Sequence, residues 1–281
     1  MAGTPGDRQD RREAFEKLAR LGFAARGVTY GLIGLLALLA AFGSGGGTTG
    51  QTGALQALAG NPLGKFVLLI VGLGLFGYGV WRLVSALLDL ENEGSDKEGL
   101  AKRAAHVGSG LFHFALAVYA VGLVFGAAGG GGGGADGWTA KLMSAPFGIV
   151  LVGLAGLIGL AAAAAQAKKA IKEEYKERMR VSHDERWVDP VVKAGLLARA
   201  VIFAIIGVFL IVAAVQADPS EARGVGGALD WLRGQAWGGI LLALIGLGLV
   251  AFAIYSFLQA RYRIIPDPEG EARSKVARAS A

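Results

Sequence analysis

Histidine is the side chain best suited to acid–base or haem chemistry near neutral pH, and two histidines lie close together in this sequence. His106 and His113 are seven residues apart, so they share one face of a helix. Because ionisable groups inside a membrane usually serve function, this pair could bind haem or relay protons. The alternative is that His106 lies at the membrane interface and that His113 is a neutral, hydrogen-bonded substitute for an aromatic residue. The third histidine, His183, falls in a predicted loop, so we expect no haem, no metal and no other cofactor.

Two arginines form a second candidate site. Arg26 and Arg199 each lie one turn inside a predicted membrane helix. They could bind a lipid phosphate or an anionic solute, or their side chains could snorkel so that the charge reaches the lipid headgroups. Arg82 ends another predicted helix and has the same two interpretations. All three are therefore candidates for lipid or anion binding, with snorkelling as the structural alternative.

Other motifs lack the context that their chemistry requires. Gly72, Gly74 and Gly77 spell GxGxxG, but a dinucleotide site needs a preceding strand and a soluble βαβ unit. These glycines belong to an apolar helix, where they favour close packing. The glycine run 129–134 lacks the Lys-Ser/Thr of a phosphate-binding loop, and the chain contains no cysteine. Since no carboxylate, serine–histidine or metal constellation lies in or beside a predicted span, we expect no enzymatic activity.

The elements that carry these residues are long apolar helices. Hydrophobic residues make up 53% of the chain, and charged residues are missing from long stretches of it. A helix needs about 20 apolar residues to cross a bilayer, and a helix satisfies its own backbone hydrogen bonds there. The stretches that meet this requirement lie near residues 21–42, 63–88, 104–127, 146–167, 195–217 and 237–260.

The predicted spans form three copies of one two-helix unit. A shift of 173 aligns the first helix of copy one with that of copy three, and shifts of 83 and 84 align copy two. Because each copy has an even number of spans, every copy enters the membrane from the same side. The sequence therefore predicts an all-α membrane protein with six transmembrane helices in three parallel two-helix repeats and pseudo-threefold symmetry. The predicted divisions are a tail 1–16, repeat 17–90, linker 91–100, repeat 101–168, charged segment 169–192, repeat 193–263 and tail 264–281.

A short pattern recurs in the first helix of copies one and three. It comprises Ala25, Arg26, Tyr30 and Gly34, and again Ala198, Arg199, Phe203 and Gly207. With the three two-helix repeats, the chain resembles the bacterial integral-membrane family grouped as domain of unknown function 1206, over nearly all of residues 17–263. The resemblance implies a bacterial inner membrane and no established activity. The middle copy departs from the pattern at Ser109, which argues against a ring of three arginines.

Three ring-bearing side chains occupy equivalent positions, one turn beyond the positions of the two arginines and Ser109. They are Tyr30, His113 and Phe203. Because these three residues should lie at equal depth around a pseudo-threefold axis, we call them candidate axial residues. They could pack at the junctions between repeats, or they could form a gate in a conducting path. We expect packing, with His113 neutral and hydrogen-bonded, because a charged histidine without a partner is costly in a membrane.

Basic residues predict the orientation. Nearly all of the 28 lysines and arginines fall in the tails and in the loops between repeats; the exceptions are Lys65, Lys141, Arg223 and Arg233. By the positive-inside rule both termini should be cytoplasmic, in a multi-pass protein of the bacterial plasma membrane. The formal charge of +6 reflects this bias, and a basic face toward anionic lipid headgroups explains it without nucleic acid. The charged segment should extend the fourth span as a solvated cytoplasmic helix.

Two functional classes fit these features. The first is a non-enzymatic membrane protein that acts as a scaffold, organises membrane lipids or binds a membrane or cytoplasmic protein partner. The alternative is a transporter or channel for a lipid-like or weakly polar solute along the pseudo-threefold axis. Few polar residues lie in the spans, which disfavours a polar solute, whereas a lipid needs no polar path. The sequence leaves the partner and the oligomeric state open.

Overall fold

Helices account for nearly all of the described structure. The computed structural model describes residues 5–127, 135–180 and 186–272, so the glycine run 129–134 and His183 lie outside the described residues. The long helices are α1 (Pro5–Ala41), α3 (Pro62–Leu88), α4 (Lys97–Val124), α6 (Gly148–Ile171), α7 (Val188–Gln216) and α9 (Gly238–Tyr262). A short helix precedes the second long helix of each repeat: α2 (Gln51–Leu58), α5 (Ala135–Met143) and α8 (Val225–Arg233).

The long helices are long enough and apolar enough to cross a membrane. Their most apolar windows have mean hydropathies between 1.7 and 2.8. Each of the spans predicted from the sequence corresponds to one long helix, so the predicted fold class is confirmed. The chain is an all-α, multi-pass integral membrane protein.

The two ends of the bundle differ. At the short-helix end, each short helix turns into the next long helix through Asn61, Phe147 or Trp237. Asn61 caps α3 by accepting a hydrogen bond from the backbone N–H of Gly64, and Pro62 occupies the first turn, where a missing N–H does no harm. The opposite end, called the linker end, carries the start of α1, the segments between repeats and the residues after α9.

Successive repeats meet at equivalent crossings of small residues. The second helix of one repeat crosses the first helix of the next, and the third repeat crosses back to the first. The crossings pair Gly72 with Ala117, Gly156 with Gly207, and Gly246 with Gly34. A methyl group added at Gly156 would lie 2.8 Å from the carbonyl oxygen of Gly207, so only glycine permits this approach. Equivalent crossings in a closed cycle are what the predicted pseudo-threefold arrangement requires.

Small residues also hold together the two helices within repeat 1 and within repeat 3. Gly74 packs on Ala25, and at the equivalent positions Gly248 packs on Ala198. A methyl group at Gly74 would lie 2.8 Å from the carbonyl oxygen of Leu21, so a larger residue would force the helices apart. Accordingly α1 packs closely on α3, and α7 packs closely on α9.

The charged segment after the fourth span is not the solvated helix that the sequence predicts. The helix α6 ends at Ile171, Glu173 adopts a left-handed φ of 56°, and a single 3₁₀ turn follows at Lys176–Arg178. The chain turns here because Tyr175 enters the core, where it is 2% exposed and packs against Tyr255. A straight continuation of α6 would carry this ring away from the core.

The chain after α9 is tied to the same segment. The N–H of Arg180 donates to the carbonyl oxygen of Tyr262 at 2.9 Å, and the N–H of Ile264 donates to that of Arg178 at 3.1 Å. This short antiparallel contact joins the segment after α6 to the end of repeat 3 at the linker end.

Candidate functional site

Repeat 2 lacks the close helix pair that repeats 1 and 3 have. Ile158 occupies the position of Gly74 and Gly248, and Gly108 occupies that of Ala25. A branched side chain at the crossing separates the helices, and α4 and α6, both fully described, do not pack on each other as α1 packs on α3. A methyl group added at Gly108 would meet open space, and Ile158 is 65% exposed. The bundle is therefore open on one side, between α4 and α6.

The loss of two large side chains widens this opening. At two equivalent positions on the second helix, repeat 1 has Tyr78 and Trp81, repeat 3 has Phe252 and Tyr255, and repeat 2 has Ala162 and Ala165. Trp81 and Tyr255 are only 1% and 2% exposed, whereas Ala165 is exposed. Both alanines belong to the run 161–165, which consists of alanine alone. We call the space between α4 and α6 that is bordered by Gly108, Ile158 and Ala165 the lateral cleft.

Arg26 lies inside the bundle rather than at the lipid headgroups. It is 6% exposed; its Nη1 donates to the hydroxyl of Tyr78 at 2.6 Å, and its Nε donates to Oγ of Ser256 at 3.2 Å. Its Nη2 donates to the side-chain carbonyl of Gln259. The snorkelling expected for this residue is therefore wrong, because its donors are taken by neutral groups on α3 and α9.

Arg199, the equivalent residue of repeat 3, lacks these acceptors. Phe252 stands where repeat 1 has Tyr78, and Lys169 stands at the position of Gln259 on the second helix of repeat 2. The Arg199 guanidinium lies 4.3 Å from the ring centre of Phe252 and 4.7 and 5.1 Å from two further rings. Such cation–π contacts are worth up to about 2 kcal/mol, but they leave N–H donors without acceptors. The Nε of Arg199 is buried and has no acceptor among the described residues.

Two more polar groups on neighbouring helices lack partners. Lys169 is half-buried near the end of α6, interacts electrostatically with Tyr255, Arg263, Arg82 and Arg26, and has no carboxylate partner within the described ranges. The hydroxyl of Tyr255 is buried, and the described chain offers it no hydrogen-bond partner. We call Arg26, Lys169 and Arg199 the cationic cluster. Across residues 5–127, 135–180 and 186–272, no carboxylate is ion-paired with any of the three.

Tyr30 and His113 lie at junctions between repeats. The ring of Tyr30 packs on Phe252 of repeat 3 with 4.8 Å between centroids, and the ring of His113 packs on Tyr78 of repeat 1 at 4.5 Å. Since Tyr78 and Phe252 are equivalent, the same contact joins repeat 3 to repeat 1 and repeat 1 to repeat 2. The Nδ1 of His113 is 2.7 Å from the carbonyl oxygen of Ser109, which orients the ring along α4.

The third junction has no matching ring pair. Ala162 occupies the position of the two partner rings, so Phe203 instead lies under the Arg199 guanidinium, 4.7 Å from ring centre to charge. Repeat 2 thus supplies alanine wherever its neighbours supply an aromatic ring on the second helix.

Arg82 points into a charged network at the linker end. Its Nε donates to the hydroxyl of Tyr78 at 3.0 Å, and its Nη1 lies 3.6 Å from the carboxylate of Glu91. The side chain of Glu91 is only 5% exposed and also pairs with Arg263 at 2.7 Å and with Arg178. These ion pairs connect the end of α3 to the segments after α6 and after α9, so they tie all three repeats together.

The sequence predicts no carboxylate constellation beside a span, and that prediction is wrong. Glu91 and Glu93, which fall in the predicted linker, lie near His106, and one ligand atom from each of the three lies within 4.8 Å of the others. Both carboxylates are occupied, since Glu93 pairs with Arg178 at 2.8 Å and with Lys102 at 3.2 Å. A metal ion would have to displace these cations, so the cluster is better described as an ion-pair network.

Burial changes the acid–base properties of this network. Desolvation, together with the neighbouring charge of Arg263, lowers the pKa of Arg178 to about 10. Burial also lowers the pKa of Arg263. At neutral pH Arg178 remains a cation, so its ion pair with Glu91 persists.

Another apolar feature lies on the outside of repeat 3. A groove of about 560 Å³ runs between α7 and α9, and its lining includes Pro190, Val201, Leu244 and Ala251. All of its lining residues are apolar, and none belongs to the cationic cluster. The groove therefore offers lipid tails a surface but offers a polar headgroup no recognition group.

Comparisons with known proteins agree with the repeat structure. A family model described as Domain of Unknown Function (DUF1206) matches the chain at residues 21–89, 104–173 and 194–263, once for each repeat. A protein of Bacillus subtilis (strain 168) called "Uncharacterized protein YxxB" is 34% identical over 260 residues, which cover 91% of this chain and 94% of that protein. No solved structure matches the chain.

Proposed function

The chain belongs to the family described as Domain of Unknown Function (DUF1206), and we propose that it is a non-enzymatic membrane protein that holds a membrane lipid in the lateral cleft. The observation that carries this proposal is the open helix pair of repeat 2 between two closed pairs. The proposed location is the bacterial plasma membrane, with the linker end and both termini in the cytoplasm, because the basic residues concentrate at that end.

The cleft has the amphipathic character of a lipid. Its border at Gly108, Ile158 and Ala165 is apolar and opens sideways toward the hydrocarbon. Lipid tails fill such a gap, because groups that line an empty space lose their dispersion contacts. Lys169 lies four residues beyond Ala165 on α6, toward the linker end, and its charge suits a headgroup rather than an acyl chain.

A transmembrane helix of another protein, or of a second copy of this chain, is the competing occupant. Small residues such as Gly108 would permit close helix packing. However, the cationic cluster favours a partner that brings negative charge. The apolar faces of this chain's own spans carry no carboxylate that could neutralise Lys169 or Arg199, so a second copy would leave both cations unpaired.

Conduction along the pseudo-threefold axis has weaker support. Arg26 is hydrogen-bonded to α3 and α9 across the interior, and Tyr30 packs against Phe252. At the short-helix end the segments that begin α2 and α8 touch, and Thr48 donates to Asp230 at 3.2 Å. Because these contacts join repeats 1 and 3 across the interior, they argue against a conducting path, and lateral binding is the better-supported function.

The test measures how much lipid stays with the protein. The full-length chain is purified in a mild detergent, and bound phospholipid is counted per chain by native mass spectrometry. Ala165→Trp restores at the cleft the side chain that repeat 1 has at Trp81. We expect this variant to fill the cleft and to reduce retained phospholipid about tenfold, a change of ~1.4 kcal/mol.

Leu157→Trp is the matched control on the same helix. Leu157 and its equivalents Leu73 and Leu247 are 56%, 56% and 57% exposed, so this position faces bulk lipid in all three repeats. We expect unchanged retention. Equal losses in both variants, or wild-type protein that retains no phospholipid, would contradict the proposal. A disulfide formed in the membrane between two Gly108→Cys chains would favour a second copy, since the sequence has no other cysteine.

A further inference from the structure

We propose that the cationic cluster selects an anionic phospholipid, by binding its headgroup phosphate beside Arg199 and Lys169. This inference rests on the proposed lipid occupancy of the lateral cleft and adds the chemical class of the ligand.

The junction between repeats 2 and 3 has a cation where the equivalent junction between repeats 3 and 1 has a hydrogen-bond acceptor. Between repeats 3 and 1, Arg26 donates to Ser256 and Gln259. The positions equivalent to these acceptors on α6 are Gln166 and Lys169, so a cation replaces one of the acceptors. A phosphate supplies both the acceptor oxygens and the negative charge that this junction lacks.

A buried hydroxyl provides a second, independent observation. Tyr255 is 2% exposed, and its hydroxyl has no partner in the described part of the chain. Its ring lies 5.8 Å from Phe252, and the guanidinium of Arg199 lies 4.3 Å from that same ring. This hydroxyl interacts electrostatically with Lys169 and Arg26 of the cluster, and a buried donor without a partner among the described residues points to an acceptor on a bound ligand.

The two arginines of the cluster lie against the same aromatic ring. Their guanidinium carbons are 5.1 Å and 4.3 Å from the centre of the Phe252 ring, so their separation cannot exceed the sum of these distances. Like charges at such a separation repel each other, and an anion between them relieves the repulsion. In repeat 2 Ser109 stands where repeats 1 and 3 have arginine, so the side of the cluster that faces the cleft is uncharged at this position.

The experiment is a competition between two lipids with identical acyl chains. Phosphatidylglycerol and phosphatidylcholine are added in equal amounts to delipidated full-length protein, and retained lipid is identified by native mass spectrometry. We expect the wild type to prefer phosphatidylglycerol about tenfold. Lys169→Gln and Arg199→Gln should each reduce the preference to about twofold or less, because phosphatidylglycerol retention falls more than phosphatidylcholine retention does.

The neighbouring lysine provides the control. Lys168 is exposed and lies 3.7 Å from Glu174, so Lys168→Gln removes the same charge at nearly the same depth but outside the cluster. We expect this variant to keep the wild-type preference. An equal loss in Lys168→Gln would overturn the inference, because general surface charge would then explain the selectivity. Arg199→Lys keeps a cation and should retain more of the preference than Arg199→Gln does.

The outcomes of this competition distinguish a lipid phosphate from free phosphate, and they show which of the two proposals fails. If inorganic phosphate at millimolar concentration displaces phosphatidylglycerol, the site binds free phosphate and the lipid assignment is wrong. If the wild type retains both lipids equally, the anion selectivity is wrong and the lipid-holding cleft stands. If it retains neither lipid, both proposals are wrong.

Discussion

Two arginines at equivalent positions have different surroundings. Arg26 gives its donors to neutral acceptors, whereas Arg199 meets aromatic rings and keeps a buried N–H without an acceptor. The difference arises from Phe252 in place of a tyrosine and from Lys169 in place of a glutamine on the facing helices. A buried cation whose donors are satisfied stabilises the fold, and one whose donors are free is available to a ligand.

Substituting each arginine by glutamine tests this difference. Arg26→Gln should lower the free energy of unfolding by about 2 kcal/mol, because buried acceptors on α3 and α9 lose their donor. Arg199→Gln breaks no hydrogen bond among the described residues but removes the cation–π contacts, so it should lower the free energy of unfolding by less, about 1 kcal/mol. Chemical unfolding of both variants in one detergent measures the two changes. Equal losses would show that Arg199 is structural and would count against its role in binding an anion.

The ion pairs of Glu173 at the linker end predict that the stability of the fold depends on pH. Its carboxylate accepts hydrogen bonds from Lys176 at 2.6 Å and from Lys193 at 2.5 Å, which lower its pKa to about 2 from 4.5. Because the folded pKa is below the unfolded one, the stabilisation is fully present above pH 4.5 and is lost as the pH falls toward 2. Wild type should therefore exceed Glu173→Gln in stability at pH 7, with the difference shrinking below about pH 4. A difference that stays constant down to pH 2 would contradict this assignment.

At the scale of helices, one residue at each crossing decides whether a pair closes. Glycine at positions 74 and 248 lets the backbones of repeats 1 and 3 approach, and Ile158 prevents the same approach in repeat 2. Three copies of one unit can thus share a topology while one of them opens to the membrane. The open pair is also the pair whose second helix has alanine in place of two buried aromatic residues.

The crossing residue can be exchanged between repeats. Gly74→Ile should drive α1 from α3 and lower stability by about 3 kcal/mol, because the new side chain collides with the backbone at Leu21. Ile158→Ala should cost less than about 1 kcal/mol, since the side chain of Ile158 is mostly exposed. The adjacent lipid-facing change Leu73→Ile serves as the control and should have little effect. Unfolding curves in one detergent compare the three, and a neutral Gly74→Ile would refute the close crossing.

The architecture of helices could be predicted from sequence, and the open repeat could not. Charge-free stretches locate each span because an unpaired charge is costly in a bilayer, and equal shifts between copies establish the cyclic arrangement. The cleft arises where the copies differ, at Ile158, Ala162 and Ala165, and each of these residues is unremarkable in an apolar helix. The effect of these residues becomes apparent only when the position of the facing helix, α4, is known.

The ion-pair network around Glu91 was not predicted from the sequence, for a different reason. Glu91 lies directly after α3, but its partners Arg178 and Arg263 are far along the chain, and only the closed cycle of repeats brings their segments together. A usable signal was present, since an acidic residue follows one span while arginines follow two others. Long-range pairing of this kind is set by topology and not by local pattern.

At the scale of the whole molecule, contacts join repeats at both ends, whereas α4 and α6 do not pack on each other. The network around Glu91 joins all repeats at the linker end, and contacts between the α2 and α8 segments join repeats 1 and 3 at the short-helix end. The lateral cleft between α4 and α6 is therefore the route that we propose from the membrane to the cationic cluster. A site entered sideways exchanges its ligand with the bilayer, which fits binding of lipid better than passage of a solute along the axis.

The orientation of the bundle determines which leaflet of the membrane lies next to the lateral cleft and the cationic cluster. Ser44 and Ser220 are exposed at the short-helix end, and Ser95 and Glu177 are exposed at the linker end. In the cysteine-free chain, single cysteines at Ser44 and Ser220 should react with a membrane-impermeant maleimide in intact cells. Those at Ser95 and Glu177 should react only after permeabilisation, because the basic residues concentrate at that end. The reverse pattern would place the cationic cluster in the outer leaflet. Different accessibility of two positions at the same end would refute the parallel repeats, since every repeat must enter the membrane from one side.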